Sequence, residues 1–418
     1  MPRSAIVRRL AAGAAALALV LSASACASTA QVDVDLPAAA TDPLPDEVTE
    51  SVHAAVERAM AATGSTGAIV GVWIPGVGSL TEGIGTAYPD GPEVTAEMTF
   101  SATSTTRPMI CDVLYGMTVD GLVSLDDDIT EWTDDFPDLK GVTLGQLCDG
   151  TSGIGSFAGQ LQSRWSATPS RVWNPRELAS YGLGTPRQGA PGTGFHDSDT
   201  GYVLLGLALE RASGKTAAEL LDQYVFDPLD LNATALATKA PSGEPWLDGL
   251  RVGTTPEGAV DCAAPVKVAA LSATAGYTAY GVVTDIADLG RYTQALATGA
   301  RSYDSEDRFD AGLPASDGAP TWFTATGGAY QAGSLVGQAG AFQGQITAAF
   351  ADRSTGATVA VVLNNASASA TVGLSLAWEL AAIVSKVPID GGTASSGLPW
   401  TAEQYAAAVD QAAICPLP

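Results

Sequence analysis

A serine that opens a buried helix can act as a nucleophile, and Ser104 in the tetrad Ser104-Thr105-Thr106-Arg107 has that setting. Behind it Met109, Ile110, Val113, Leu114 and Met117 recur at three- and four-residue spacing, the pattern of a helix with one buried face. Free N–H groups and the positive end of the helix dipole favour negative charge developing beside such a serine. The same place suits a plain N-cap, whose hydroxyl only satisfies backbone donors. The tetrad leaves both roles open.

The elements that would position it can be read at both ends of the chain. A helix over 46–62 carries Val48, Val52, Val56 and Ala59 on one side, with His53 as a surface residue. Strand-like runs at 67–74 and 79–87 flank Pro75-Gly76-Val77-Gly78, and runs at 344–351 and 357–364 flank Asp352 to Gly356; both read as hairpins. Between them the chain turns helical, with helices expected at 143–148, 174–181 and 202–212, and a last apolar helix covers 371–384. Strands at both ends and helices between predict an α+β fold: an antiparallel sheet built from both chain ends, flanking helices, and an all-helical lobe inserted at about 104–270. Segments 235–271 and 300–321 match no pattern.

Residues 1–25 have the order of a secretory signal: Arg3, Arg8 and Arg9, the apolar run Leu10 to Leu21, then small residues up to Cys26. The small residues before one cysteine resemble a bacterial lipobox, although Ala23 stands where leucine is more usual. They predict lipid on Cys26, the alternative being cleavage after an Ala-x-Ala site. Either places the mature protein outside the cytoplasm, with the lipid as its hold on the membrane. Residues 26–45 lack periodicity and read as a tether, 46–385 as the folded domain and 386–418 as a C-terminal extension.

A formal charge of −25 disfavours nucleic acid and anionic lipid surfaces as partners. Hydrophobic content of 46% with 16% charged residues indicates a folded globule. Two histidines and no close Cys-x-x-Cys pair make a zinc site unexpected, and no cofactor is expected. Apart from Cys26 four cysteines remain, which allow three pairings. Cys111 lies on the helix behind Ser104 and Cys148 just before Thr151-Ser152-Gly153, which favours Cys111 with Cys148 and Cys262 with Cys415.

Several separated stretches then carry a resemblance. They are Phe100 to Arg107 followed by Asp120-Gly121-Leu122, Leu144 to Ile154, Phe195 to Leu209 running on to Phe226-Asp227-Pro228-Leu229, Ala275-Gly276 with Thr284 to Leu289, and Gly337 to Gly344. In this order they resemble the serine β-lactamase and penicillin-binding D-alanyl-D-alanine carboxypeptidase family, closest to its class C and carboxypeptidase branch, over roughly 46–385. The resemblance implies the β-lactamase/transpeptidase-like fold. It also implies a cleft where three motifs meet: Ser-x-x-Lys, Tyr-x-Asn or Ser-x-Asn, and Lys-Thr-Gly or His-x-Gly.

This chain keeps the places and changes the residues. Ser104 stands at the nucleophile position but Arg107 at the lysine position, Asp197 and Asp199 replace the Tyr-x-Asn pair, and Gln338 with Gly340 replaces His-x-Gly. By the same likeness the backbone N–H groups of Ser104 and Ala341 would form the oxyanion hole. A guanidinium stays protonated and has no acceptor, so Arg107 cannot be the general base. Pro108 removes a helix N–H and biases Arg107 away from helical dihedrals. Arg107 is expected to pair with Asp197 or Asp199.

Joint loss of base, partner and sheet-edge cation predicts a catalytically silent or strongly impaired member that binds or scaffolds at the cell surface, with a cell-wall peptide or small molecule in the cleft. The alternative is an active esterase or peptidase in which Asp197, or less readily His196, takes the proton from Ser104. A third reading is solute capture, with Trp165, Trp173, Tyr277 and Tyr280 stacking on a ligand.

Overall fold

Gly67 to Ile74 is apolar at almost every position, as a strand buried on both faces requires. The computed structural model describes residues 32–36, 40–133, 136, 138–236, 245–305, 307–395 and 397–417. The expected signal segment and Cys26 lie outside them. Strands β1 (Gly67–Ile74) and β2 (Gly78–Gly85) open the domain. Strands β3 (Phe100–Ser101), β4 (Ala235–Leu236), β5 (Leu250–Thr254), β6 (Val260–Lys267) and β7 (Val282–Thr284) lie in mid-chain. Strands β8 (Leu313–Pro314), β9 (Phe323–Thr326), β10 (Ala329–Ala332), β11 (Leu335–Phe342), β12 (Gln345–Asp352) and β13 (Thr358–Leu363) follow.

The large sheet runs β2-β1-β13-β12-β11-β10-β9-β8 with antiparallel neighbours throughout, so both chain ends do build it. Successive side chains of β1 go to opposite layers. Val70, Val72 and Ile74 join a core with helices α1 (Asp46–Thr63) and α10 (Ala370–Val384), while Ile69 meets Ile286 and Leu289 of α9 (Ile286–Thr298). The helical lobe consists of α2 (Thr106–Val119), α3 (Leu144–Cys148), α4 (Ala158–Ala167), α5 (Pro175–Leu183), α6 (Asp199–Ser213), α7 (Ala217–Leu221) and α8 (Tyr277–Tyr280). Its core joins Ile110, Val113 and Met117 of α2 to Leu204 and Leu205 of α6.

The two segments without a sequence pattern have definite places. Residues 250–267 form the β5–β6 hairpin, so the lobe ends in strands, and Cys262 on β6 is bonded to Cys415. Cys111 is bonded to Cys148, which ties α2 to α3. In the 300–321 segment, Arg301 Nη1 donates to Asp112 Oδ2 at 2.7 Å and Arg308 to the same carboxylate, all within the core. Tyr292 adds its hydroxyl to Asp112 at 2.8 Å. Asp112 lies on the helix behind Ser104, so this network fixes α2 from below.

One reading needs correction. Residues 32–36 do not hang free as a tether: Asp35 N–H donates to Ala300 O and Ser302 N–H to Asp33 O, each at 2.8 Å, and Val32, Val34 and Leu36 pack on the core. Val32-Asp33-Val34-Asp35-Leu36 alternates apolar and acidic, a strand period that the tether reading overlooked. His53 lies at the surface, its side chain 37% exposed, and pairs with Glu82 of β2. At the other end, α11 (Ala402–Gln411) packs on α10, and Trp400 Nε1 donates to Trp378 O at 2.9 Å with the two indoles 5.2 Å apart and 28° from parallel.

Candidate functional site

Ser104 sits in a single 3₁₀ turn, Thr103–Thr105, between β3 and α2. Thr103 takes φ +49°, a left-handed conformation that costs a β-branched residue and turns the chain sharply. The turn is held at its root: Ser101 N–H donates to Gln345 Oε1 and Thr347 Oγ1 donates to Ser101 O, both at 2.8 Å. Gly340 of β11 passes so close that a Cβ there would lie 2.3 Å from Ser104 Oγ. The N-cap of α2 is Thr105, without a side-chain cap bond, and Ser104 Oγ makes no hydrogen bond among the described residues. The capping role is therefore not the one Ser104 plays. Pro108 falls in the first turn of α2, where its missing N–H has no helical partner to lose, and Arg107 stays helical.

Arg107 is buried and enclosed. It pairs through Nη1 with Asp197 and donates from Nη2 to Tyr280 Oη at 2.9 Å, and its guanidinium lies 5.0 Å from the ring centroids of both Tyr202 and Tyr280. Tyr280 in turn donates to Asp199 Oδ2 at 3.2 Å. Asp199 also accepts from Phe157 N–H at 2.7 Å and Ala158 N–H at 3.0 Å, the first amides of α4. It thus caps a helix instead of holding a lysine. Burial disfavours charge on Arg107, but Asp197 and the groups around it outweigh burial and hold the guanidinium more firmly protonated than usual. Burial pushes the Asp199 carboxyl up, beyond what Arg107 and the two amides pull down. Burial, with Asp199 adding, also pushes the Tyr280 hydroxyl well above its ordinary value, so it remains a donor.

The sheet side is a strand edge. β10 pairs with β11 only as far as Gly337, which leaves residues 338–342 without a strand partner on that edge among the described residues. Ala339 N–H bonds instead to Gln338 Oε1 at 2.9 Å, while Gln338 Nε2 donates to Gly328 O at 2.9 Å. Gln338 is therefore buried and spent on backbone, not turned to a ligand. Ala341 N–H, two residues on, leaves the strand from the same edge as Ala339 N–H. Phe342 closes the cleft beyond it: its ring stacks on Tyr280 at 5.2 Å and meets Trp165 edge-on at 5.5 Å. Ser104, Arg107, Asp199 and Gln338 are each at most 5% exposed, whereas the Asp197 side chain at their rim is 49% exposed.

The structure brings Ser104, Arg107, Asp197, Asp199, Gln338, Gly340 and Ala341 to one place. His196 donates its backbone N–H to Gly150 O at 2.8 Å, and its ring lies against Gly189. Trp173 packs against Tyr181 and carries no cleft surface. Sequence reasoning gave Tyr280 only a stacking role and missed Tyr202 and Phe342 entirely. No motif spacing marks them, since the three converge on Arg107 and its neighbours from three distant elements. Among the described residues no group of histidines, cysteines and carboxylates could hold a metal.

Comparison with known proteins agrees with this architecture. A penicillin-binding protein of Bacillus subtilis (strain 168) is 27% identical over 145 residues, 35% of this chain and 32% of that protein. An esterase of Burkholderia gladioli is 29% identical over 169 residues, 36% of this chain and 42% of the esterase. The matches thus span less than half the length of either relative. A D-stereospecific amidohydrolase from Streptomyces sp. superposes with a TM-score of 0.64 at 22% identity, covering 75% of this chain and 94% of that one, which is a likeness of fold. The family described as Beta-lactamase matches residues 52–382, which hold every strand of the large sheet and the whole lobe, and the chain belongs to that family.

Proposed function

We propose that this protein is an extracytoplasmic lipoprotein, held to the membrane by lipid on Cys26, whose β-lactamase-type domain is catalytically silent or strongly impaired and serves as a binding or scaffold domain. A cell-wall peptide or a small molecule is the partner class this reading implies. The observation that carries it is the state of the lysine position. Arg107 is locked between Asp197, Tyr280 and Tyr202 and held protonated, while Ser104 Oγ makes no hydrogen bond among the described residues. Asp197, the base of the alternative reading, is engaged by Arg107 and not by Ser104.

Intact-protein mass after incubation with a fluorophosphonate, and separately with a penicillin, tests this directly. The proposal expects no adduct from a protein that melts cooperatively. A single adduct that disappears in Ser104→Ala would overturn it and return Asp197 to the role of base. The anchor has its own test: mass of the mature protein from membranes should show lipid, lost in Cys26→Ser.

A further inference from the structure

Beyond Ala341 the open edge of β11 runs into a second space. A pocket of about 490 Å³ lies between α4, the β5–β6 hairpin and the end of β11, within the size range of small-molecule sites. It lies roughly 10–15 Å along the strand from Gln338, at the usual rise per residue. Its lining includes apolar side chains from three elements, Trp165, Leu271 and Phe342, and two cations from the hairpin, Arg251 and Lys267. The hairpin is thus a wall of a cavity and not a surface ornament.

Two groups on this lining are without a partner. Arg251 is exposed, and its side chain makes no ion pair or hydrogen bond among the described residues. Trp165 is buried, and its indole Nε1 has no hydrogen-bond partner, an uncommon state for a buried donor. Lys267 is already engaged, donating to Asp248 Oδ2 at 2.8 Å and lying 3.4 Å from the Tyr88 ring centroid. In a chain of net charge −25, a guanidinium without a salt-bridge partner lines the same pocket as Trp165 and Phe342. Arg presents a planar fork of donors that matches a carboxylate, and an indole face suits an apolar body.

We propose that this pocket binds a small organic carboxylate with an apolar body, the carboxylate taken by Arg251 and the body resting on Trp165, Leu271 and Phe342. The pocket adjoins the Ser104 site through Ala341, Phe342 and Trp165, but its carboxylate would be held by Arg251 on the hairpin, so the assignment stands whether or not Ser104 reacts.

Calorimetric titration of the full domain with 4-phenylbutyrate and with its neutral amide, 4-phenylbutanamide, tests the assignment. The acid should bind at least tenfold more tightly than the amide, and Arg251→Gln should abolish that preference while leaving amide binding and melting temperature unchanged. Arg211→Gln, which removes one charge from the end of α6, should change neither. Equal affinity for acid and amide, no saturable binding of the acid, or equal weakening by Arg211→Gln would each overturn the proposal.

Discussion

At the scale of single residues, the site turns on how little room surrounds Ser104. A Cβ at residue 340 would meet Ser104 Oγ at 2.3 Å and Ser104 N at 2.7 Å, and the latter atom is backbone. Gly340→Ala should therefore force β11 and the 3₁₀ turn apart and cost about 1–3 kcal/mol, the range for overpacking, read by denaturant unfolding. Arg107→Lys puts the family's usual residue back, yet Asp197 and Asp199 favour the charged ammonium, so it should remain protonated. No fluorophosphonate adduct is expected from this variant, and loss of the second donor to Tyr280 should cost about 1–2 kcal/mol. An adduct at Ser104 in Arg107→Lys would show that the lysine alone is missing and that Asp197 and Asp199 do not matter.

At the scale of elements, the β12–β13 turn offers a test with a definite pH sign. Asp352 ends β12 and accepts from Ser334 Oγ and Ser395 Oγ at 2.6 Å and from Ser354 Oγ at 2.7 Å, tying the start of β11 and the C-terminal extension to the turn. Burial works against its charge, but those hydroxyl and amide donors outweigh burial and hold the carboxyl below the ordinary aspartate range. A depressed folded pKa stabilises above the unfolded value, about 3.9, and that gain is lost as pH falls through the lower folded value. The stability gap between wild type and Asp352→Asn should accordingly be full near neutral pH and shrink below about pH 4.

The hairpins around 67–87 and 344–364 were legible because strand alternation and turn residues are local signals, and so was Ser104 before its apolar helix. Tyr280, Phe342 and Arg251 were not, because their roles come from contacts between elements far apart in sequence. The docking of Val32 to Leu36 lay between: its alternation is local, but the partner at Ala300 to Ser302 is not.

At the scale of the whole molecule, the two disulfides differ in depth. Cys111 and Cys148 are at most 1% exposed, whereas Cys262 is half-buried on an outlying hairpin. Mild reduction followed by alkylation and peptide mass mapping should label Cys262 and Cys415 before Cys111 and Cys148; the reverse order would contradict the burial. The outer bond closes a sequence separation of 153 residues. Loop entropy sets its stabilisation at up to about 5 kcal/mol, so Cys262→Ser with Cys415→Ser should lower the melting temperature and loosen the C-terminal extension. That extension carries Trp400, and its neighbour Trp378 belongs to α10. Two indoles stacked so closely share their electronic excitation and give a paired positive and negative band in circular dichroism. Trp322 lies 5.0 Å from Trp400 and 5.7 Å from Trp378, so the protein contains a light-absorbing trio that loses one member when its final segment leaves, and undocking of that segment can be followed optically without any added label.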